Sequence, residues 1–420
     1  MKQLTRLFIP ICLETLFYML SGMVDTLMLS AVGDYAVGAV GTANSYIGIF
    51  IIMFSIISSG MVSVMTQNIG AGRPGVAYQA RQLGLLFNAV AGVLMAVFLF
   101  SGAGAILRMV GIADALYEPA LIYLKIVGGG CILNAVIPIF SSYLRAFGYT
   151  KQPLYATIVG NIANFVMNAV FLFVLHKGVA GVATATVISK ILNLCIVLYF
   201  SHKLISAKNS TERIANKTVL GQIVKVGLPS ACETALYNVA MMLVIRFLNQ
   251  MDAEGLNVTA RSYTATISNF SYCVGAALAQ ANAIMTGWHI GAGELEECDR
   301  GTKRAAFVGV CVAVCMETAI VLGSGFIMPL FTDNPEMTAL VRKLLAIDIV
   351  LEIGRVTNLV FGQALKTSGD AVFPAVIAAV FMFVFAVGGT WLFGISMGLM
   401  AVGAYIGLAS DECVRAVGMV

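Results

Sequence analysis

Two carboxylates lie inside one long apolar stretch near the N-terminus. Glu14 and Asp25 fall within residues 7–30, LFIPICLETLFYMLSGMVDTLMLS, which is long enough to cross a bilayer. At about 100° per residue, Glu14, Tyr18 and Asp25 share one helical face, and the two acids lie roughly 16 Å apart along it. An ionisable group at membrane depth is costly and marks a functional site by default. We therefore predict that this face lines a cavity, and that Asp25 exchanges a proton, a sodium ion or a cationic ligand.

Three asparagines in a later apolar stretch repeat at helical spacing. Asn161, Asn164 and Asn168 stand at i, i+3 and i+7 and share one face. Amide oxygens beside one carboxylate can replace water around a small monovalent cation. The alternative is that these amides only hydrogen-bond neighbouring helices, as polar side chains in membranes do.

A third group of charged residues stands in the segment DIVLEIGR. Asp348, Glu352 and Arg355 share one helical face, and we predict Glu352 and Arg355 to form a structural ion pair. The other base within the apolar spans is Lys190. The sequence assigns no role to Lys190, Asp348 or Glu317.

The composition identifies the class of protein. The 420 residues are 59% hydrophobic and only 11% charged, against about 25% charged in soluble domains. The chain is therefore predicted to be a polytopic integral membrane protein that binds membrane lipids. Its net charge of +4 is spread over loops and indicates no nucleic-acid partner. No phosphate-binding loop, nucleophile triad or CxxC pair is visible, so we predict no enzyme, no cofactor and no metal beyond a possible sodium ion at Asp25.

The elements that position these residues are apolar spans of twenty-odd residues, separated by Gly, Pro or charged residues. They predict an all-α protein of twelve transmembrane helices. One polar stretch, residues 202–219, separates residues 1–201 from residues 220–420 and is predicted to be a cytoplasmic linker. The predicted spans are 7–30, 38–67, 82–107, 119–144, 153–176, 179–201, 220–248, 257–288, 303–328, 339–364, 373–394 and 397–418.

The basic residues indicate the orientation. Of the 25 Lys and Arg residues, sixteen fall on the side that holds the termini, seven on the other side and two inside the spans. Because cytoplasmic loops carry an excess of Lys and Arg, both termini are predicted to be cytoplasmic. The last span ends almost at Val420, and whether the native chain extends further is left open.

An internal repeat predicts the architecture. Pro10 to Tyr18 matches Pro229 to Tyr237 at an offset of 219, and two further matches follow at an offset of 221. We therefore expect two six-helix lobes of the same topology, related by a pseudo-twofold axis along the membrane normal, with a cleft between them. Glu233 and Tyr237 are then the counterparts of Glu14 and Tyr18 as residues that line the substrate cavity.

The motifs that carry this repeat also carry a family resemblance. They are SGMVDT in the first span, IGAG at 69–72 and 290–293, and LRAFGYTKQP at 144–153 with its echo LKTSGDAVFP. Together and in this order they resemble the MATE family of multidrug and toxic-compound extrusion transporters, and most of all its bacterial DinF-like branch. The resemblance implies two six-helix lobes that export organic cations, driven by inward sodium or proton flow.

The resemblance also implies roles for single residues. The family's first-helix aspartate corresponds to Asp25, and its fifth-helix pair corresponds to Asn164 and Asn168. The second member of that pair is usually Asp, so Asn168 departs from the family pattern. A sixth-helix threonine of the family corresponds to Thr186, and a seventh-helix glutamate has Glu233 as its nearest counterpart.

These observations predict a monomeric antiporter of the cell inner membrane that exports amphipathic, mostly cationic small molecules in exchange for Na⁺ or H⁺. The alternative is a flippase for lipid-linked saccharides, which should show a strongly basic cavity. Two intramembrane bases against six acids argue against it. A channel or a membrane enzyme would lack gradient coupling. The coupling ion and the physiological substrate are left open.

Overall fold

The computed structural model describes residues 2–110, 112–205, 212–252 and 255–420. These residues form an all-α protein, with no strand among them. The central part of the predicted linker, residues 206–211, lies outside the described residues.

Two compact units divide the chain, residues Met1–Gly227 and Leu228–Val420. The described residues of the first unit form seven whole helices: α1 (Lys2–Ser30), α2 (Asp34–Gly70), α3 (Pro74–Val110), α4 (Asp114–Gly129), α5 (Cys131–Ala146), α6 (Lys151–Ala169) and α7 (Gly178–Leu204). Helix α8 (Asn216–Met251) begins in the first unit and continues in the second. The second unit holds α9 (Leu256–Ala292), α10 (Leu295–Ile327), α11 (Pro335–Ser368), α12 (Val372–Phe381) and α13 (Met400–Met419). Helix α6 continues as a π-helical turn over Val170–Val174, and α12 continues as two π-helical segments, Met382–Val387 and Thr390–Ser396.

Each of the twelve predicted spans coincides with a helix or a bent pair of helices. In the described residues, eight helices are long and apolar enough to cross a membrane, and α4 with α5, bent by 41°, makes a ninth span. The remaining three, α9, α11 and α13, are more polar because they carry buried charged and amide side chains. The prediction of an all-α protein with twelve transmembrane helices is confirmed.

Two turns show the repeat in the backbone. The turn after α5 contains Gly148 with φ 83°, and the turn after α11 contains its repeat counterpart Gly369 with φ 98°. Both conformations favour glycine, because a Cβ is strained at positive φ. In each turn the N–H of the residue after the glycine donates a hydrogen bond to the carbonyl five residues earlier. Tyr149 donates to the Leu144 carbonyl at 2.9 Å, and Asp370 donates to the Leu365 carbonyl at 3.1 Å. The sequence repeat is therefore also a repeat of helix-end geometry.

The boundary between the units lies beyond the predicted linker, inside α8. The first turns of α8 pack against α2 with backbones nearly touching. A Cβ on Gly60 would lie 1.9 Å from the Ile223 carbonyl oxygen, and one on Gly227 would lie 1.8 Å from the Ile56 carbonyl oxygen. Small residues allow such close approach of membrane helices, so α8 belongs to the first unit as far as Gly227.

Each unit has its own apolar interior and an apolar outside. Leu99, Leu124 and Tyr143 are buried in the first unit, and Val341 and Leu344 are buried in the second. The outer faces expose many large apolar side chains. Such exposed apolar surface is expected where lipid is the solvent.

Candidate functional site

Asp25 lies against the asparagine face of α6. The Asn168 amide donates a hydrogen bond to Asp25 Oδ1 at 2.7 Å and a second to Asn164 Oδ1 at 3.1 Å. Asn168 is fully buried, and its own Oδ1 accepts no hydrogen bond from a described residue. The structure thus brings Asp25, Asn164 and Asn168 together and leaves the Asn168 Oδ1 without a partner among the described residues.

The basic side chain of Lys190 lies near this carboxylate. Its ammonium donates to Asn134 Oδ1 at 2.8 Å, and it lies within electrostatic reach of Asp25 and Cys131. Lys190 belongs to α7 and Asn134 to α5, so neither is near Asp25 in sequence. The sequence gave Lys190 no role, and the structure places it in the environment of Asp25.

Tyr123 of α4 connects Thr186 to the same site. The buried Tyr123 hydroxyl interacts with Asn44 and Thr186 and lies within electrostatic reach of Asp25. The Thr186 hydroxyl also donates to the Val182 carbonyl at 2.9 Å. Sequence reasoning found Thr186 through the family resemblance and missed Tyr123 and Asn44, because no spacing pattern connects them to Asp25.

Asn161 lies apart from the other two asparagines. Its amide donates to the Phe17 carbonyl at 2.9 Å, about 10 Å along α6 from Asn168. It therefore fastens α6 to the α1 backbone, which is the alternative that the sequence left open for such amides.

Glu14 forms an ion pair that the sequence did not predict. Arg145 Nη2 lies 2.6 Å from Glu14 Oε1, and both side chains are mostly buried. The repeat counterpart of this pair is present in the second unit, where Lys366 Nζ lies 2.8 Å from Glu233 Oε2. Both acids were predicted to line the cavity, and the structure gives each of them a basic partner. The aligned motifs LRAFG and LKTSG contain both bases, and this was the signal that could have found the pairs.

Tyr18 and Tyr237, the two tyrosines predicted to line the cavity, are more exposed than Glu14 and Glu233. Tyr18 is 72% exposed, and its hydroxyl lies within electrostatic reach of Tyr123. Tyr237 is 42% exposed and lines a cavity of about 510 Å³ in the second unit, together with Glu233. Four acidic and four basic residues line this cavity. The acids are Glu233, Asp348, Asp411 and Glu412, and the bases are Arg261, Arg355, Lys366 and Arg415.

The predicted pair of Glu352 and Arg355 is the centre of a larger network. Arg355 bonds Glu352 through Nη1, and its Nε lies 4.0 Å from Glu412 of α13. Arg415 in turn lies 2.7 Å from Glu412 and 3.1 Å from Asp411. Glu412 thus lies between two arginines. Sequence reasoning missed this network because Asp411, Glu412 and Arg415 belong to α13, far along the chain from Arg355 in α11.

Helix α13 can place Glu412 there because its backbone approaches α11 closely. A Cβ on Gly354 would lie 2.5 Å from the Glu412 carbonyl carbon. The Asn358 amide also donates to the Glu412 carbonyl oxygen at 2.8 Å and to Glu412 Oε2 at 2.7 Å. The acid is therefore fixed by both backbone contact and hydrogen bonds.

The chain has the sequence features of a known family over most of its length. The MatE family model matches residues 10–170 and 229–406. The chain belongs to the MatE family. A relative in Bacillus subtilis (strain 168), named "Uncharacterized transporter YisQ", is 32% identical over 416 residues, which cover 98% of this chain and 91% of that protein. The family membership predicted from the motifs is confirmed, and with it a multi-pass membrane transporter.

Solved structures of MATE transporters share the fold. An aspartate-to-asparagine mutant of the Vibrio cholerae MATE transporter VcmN matches with a TM-score of 0.88 at 18% identity, covering 100% of this chain and 94% of that one. A transporter of the MOP superfamily from Pyrococcus furiosus, reported to have a binding pocket of reverse polarity, matches with a TM-score of 0.83 at 20% identity, covering 100% of this chain and 94% of that one. At these identities the likeness establishes the fold alone.

Proposed function

We propose that this MATE protein is a secondary active antiporter that exports amphipathic small molecules across the cell inner membrane in exchange for Na⁺ or H⁺. The observation that carries the proposal is the Asp25 carboxylate within a membrane-spanning helix, held by the buried Asn168 amide. An acid at such depth is costly and persists where it serves transport.

Exchange at Asp25 follows from competition for one negative charge. A proton, a sodium ion or a cationic substrate can each neutralise the carboxylate, and binding of one excludes the others. Lys190 lies within electrostatic reach, and its protonated form weakens the hold of Asp25 on any cation. A weak hold favours release, which a transport site needs as much as binding. Alternating access then links the exchange to movement of substrate.

The substrate preference is less strongly cationic than the sequence alone suggested. Glu14 and Glu233 are each compensated by a base, so neither acts as a free attractor of cations. The cavity of the second unit also carries four acids and four bases. Amphipathic cations remain the first class to test because of Asp25, and zwitterionic molecules fit the balanced cavity.

A flippase for lipid-linked saccharides remains the second candidate. The observation in its favour is the set of four bases that line the cavity, where the sequence had counted only two intramembrane bases. The same cavity has four acids, which would repel a diphosphate. A transporter with a binding pocket of reverse polarity is known in the MOP superfamily. The preference of this cavity for cationic or anionic ligands is therefore a quantity to measure directly.

The decisive experiment measures efflux of a fluorescent organic cation from proteoliposomes under separately imposed sodium and proton gradients. We expect uphill efflux with one gradient in the wild type and no uphill efflux in Asp25→Asn. The matched control is Asn161→Ala, because Asn161 lies on the same face of α6 but binds the Phe17 carbonyl instead of Asp25. It should retain gradient-driven transport.

Three outcomes contradict the proposal. Wild-type uphill transport by Asp25→Asn would remove Asp25 from the coupling step. Equal loss in Asn161→Ala would show that helix packing, and not the carboxylate, was disturbed. Gradient-independent movement of a lipid-linked saccharide, without cation efflux, would favour the flippase.

The proposed orientation, with both termini in the cytoplasm, needs its own experiment. Fusions of a cytoplasm-specific reporter to either terminus test it, and both fusions should be active.

A further inference from the structure

An open groove with three basic side chains lies where α1 begins, beside the start of α6. Its volume is about 550 Å³, within the range of roughly 300–1,000 Å³ that is typical of ligand sites. We call it the α1–α6 groove, and the residues that line it are Lys2, Thr5, Arg6, Ile9, Pro10 and Lys151. All of them belong to the first unit. The Asp25 site uses none of these residues, so the groove is a feature that transport leaves unexplained.

The three bases of the groove have no acidic partner in the described part of the chain. Lys2, Arg6 and Lys151 are all exposed, and none of them forms an ion pair with a described carboxylate. The sequence gives the reason, because residues 1–13 and 119–211 contain no Asp or Glu. The groove therefore presents three positive charges that favour a negatively charged ligand.

The groove lies at the level expected for lipid headgroups. The predicted spans of α1 and α6 begin at residues 7 and 153, so all three bases stand just outside the apolar stretches, on the predicted cytoplasmic side. Anionic lipids give the cytoplasmic leaflet a negative surface, and basic pockets between membrane helices on that side bind their headgroups. A headgroup with net negative charge matches both the position and the charge of the groove.

An apolar surface continues from the bases into the span of each helix. Exposed apolar side chains follow a base along one face: Lys2, Ile9 and Leu13 on α1, and Lys151, Tyr155 and Ile162 on α6. At about 100° per residue, each set of three falls within about 40°. The two helices are neighbours along this surface, since the Asn161 amide donates to the Phe17 carbonyl at 2.9 Å. Positive charge at the end of an apolar strip fits a headgroup that carries acyl chains.

The groove is separate from the Asp25 site on the same helix. Asp25 lies about 160° around α1 from Ile9 and roughly 24 Å along it. Glu14 lies about 140° around the helix from Ile9, where it pairs with Arg145. A ligand in the groove therefore touches the side of α1 that faces away from both acids.

We propose that the α1–α6 groove binds the headgroup of an anionic phospholipid, with its acyl chains along the apolar strips. Lys2 and Lys151 contribute point charges, and the Arg6 guanidinium can donate two parallel hydrogen bonds to phosphate oxygens. A zwitterionic headgroup would bring its own cation against the three bases, so the groove discriminates against it. The inference goes beyond the antiport proposal and does not need it, because binding is measured without transport.

The test is native mass spectrometry of the purified full-length protein in a neutral detergent. The protein is titrated with phosphatidylglycerol or with phosphatidylcholine that has the same acyl chains. The wild type should bind one phosphatidylglycerol more tightly than any phosphatidylcholine. A base near the membrane surface is worth about fivefold in lipid affinity. Lys151→Gln should therefore weaken this binding about fivefold, and the triple change Lys2→Gln, Arg6→Gln and Lys151→Gln should weaken it roughly 100-fold.

Three other bases of the first unit provide the matched control. Arg213, Lys217 and Lys225 are exposed, lie outside the groove and form no ion pair with a described carboxylate. Replacing all three with Gln removes the same net charge and should leave phosphatidylglycerol affinity at the wild-type value.

Two further measurements keep the test decisive. The Tm without added lipid should be the same in the wild type and the groove variants, because the exposed bases lose no ion pair. If the triple variant nevertheless unfolds, the fivefold effect of Lys151→Gln still decides the question. Glycerol 1-phosphate carries the phosphate without acyl chains, and at the concentration of the lipid it should not displace phosphatidylglycerol.

Four results overturn the proposal. The first is phosphatidylcholine that binds as tightly as phosphatidylglycerol, which shows that headgroup charge is not recognised. The second is wild-type affinity in folded groove variants. The third is an equal loss in the control variant, which identifies a general effect of net charge. The last is displacement by an equal concentration of glycerol 1-phosphate, which makes the groove a site for free phosphate compounds.

Discussion

Arg145 Nη2 lies 2.6 Å from Glu14 Oε1, joining the end of α5 to the first half of α1. The repeat places Lys366 and Glu233 in the corresponding positions of the second unit, 2.8 Å apart. An ion pair that occurs twice, at repeat-related positions, is a property of the six-helix unit and not of one local sequence. It also removes two negative charges that would otherwise have attracted cationic substrates.

The Glu14 pair should contribute measurably to stability. Removal of one partner strands the other charge, and Glu14 Oε2 already lacks a hydrogen-bond partner among the described residues. Since both side chains are mostly buried, we expect Arg145→Gln to cost more than the roughly 1 kcal/mol of an exposed pair and less than the 3–5 kcal/mol of a fully buried one. Glu14→Gln with Arg145→Gln should recover part of the loss, measured as Tm in detergent.

An exposed pair provides the matched control. Arg300 and Glu297 lie 2.9 Å apart on α10 with more than half of each side chain exposed. Arg300→Gln should change stability by less than about 0.5 kcal/mol. If it destabilises the protein as much as Arg145→Gln does, the burial argument fails.

Loss of Arg355 should be more damaging than loss of Glu352. The guanidinium bonds Glu352, lies 4.0 Å from Glu412 and lies within electrostatic reach of Asp348, so Arg355→Gln strands several acids at once. We expect a loss of about 3–5 kcal/mol in unfolding free energy. Combining it with Glu352→Gln should restore only part, because Asp348 and Glu412 remain. Full restoration would make Glu352 the single partner of Arg355, and normal stability with lost transport would make Arg355 functional.

Gly354 should resist even the smallest enlargement. An added Cβ would lie 2.5 Å from the Glu412 carbonyl carbon, so α11 and α13 would have to separate. Gly354→Ala is expected to cost about 1–3 kcal/mol, as overpacking does, and to disturb the position of Glu412. Gly362 on the same helix has no atom within 4 Å of such a Cβ. Gly362→Ala should therefore be neutral or stabilising, and similar Tm losses in both variants would contradict the packing argument.

Asp252 should give a pH-dependent contribution outside the membrane spans. Its carboxylate accepts hydrogen bonds from the N–H groups of Leu256 at 2.9 Å and Asn257 at 3.0 Å, at the start of α9. Slight burial acts to raise the pKa of Asp252, but these hydrogen bonds outweigh it and hold the pKa below its usual value. A lowered pKa in the folded state gives stability that is present above the unfolded-state pKa of about 3.9 and lost as pH falls through the folded-state value.

Asp252→Ala is therefore expected to cost about 1 kcal/mol at neutral pH, as loss of a helix cap does. The difference from the wild type should shrink below about pH 4. Asp252→Asn keeps an acceptor without a titrating group, so it should retain most of the stability with a flatter pH profile. A constant difference between Asp252→Ala and the wild type at every pH would show that the charge plays no part. Thermal melts across a pH series provide the measurement.

The sequence by itself determined the membrane class, the twelve spans, the twofold repeat and the family. These features are local or periodic: apolar length, Gly and Pro at helix ends, and motifs at a constant offset. It also determined the site residues that share one helix face, such as Asn164 with Asn168 and Glu352 with Arg355. Residues three, four or seven apart meet because the helix period brings them together, whatever the rest of the fold does.

Only the tertiary structure decided which faces meet. Arg145 and Lys366 were counted with loop charges until the packing of each unit placed them against Glu14 and Glu233. Glu317 had no partner in sequence, because its neighbours come from α9 and α11 at separations that no periodicity encodes. Lys190 of α7 likewise lies near Asp25 of α1 only because the helices of the first unit pack together. Charge balance depends on distances between helices, and the order of residues along the chain does not contain those distances.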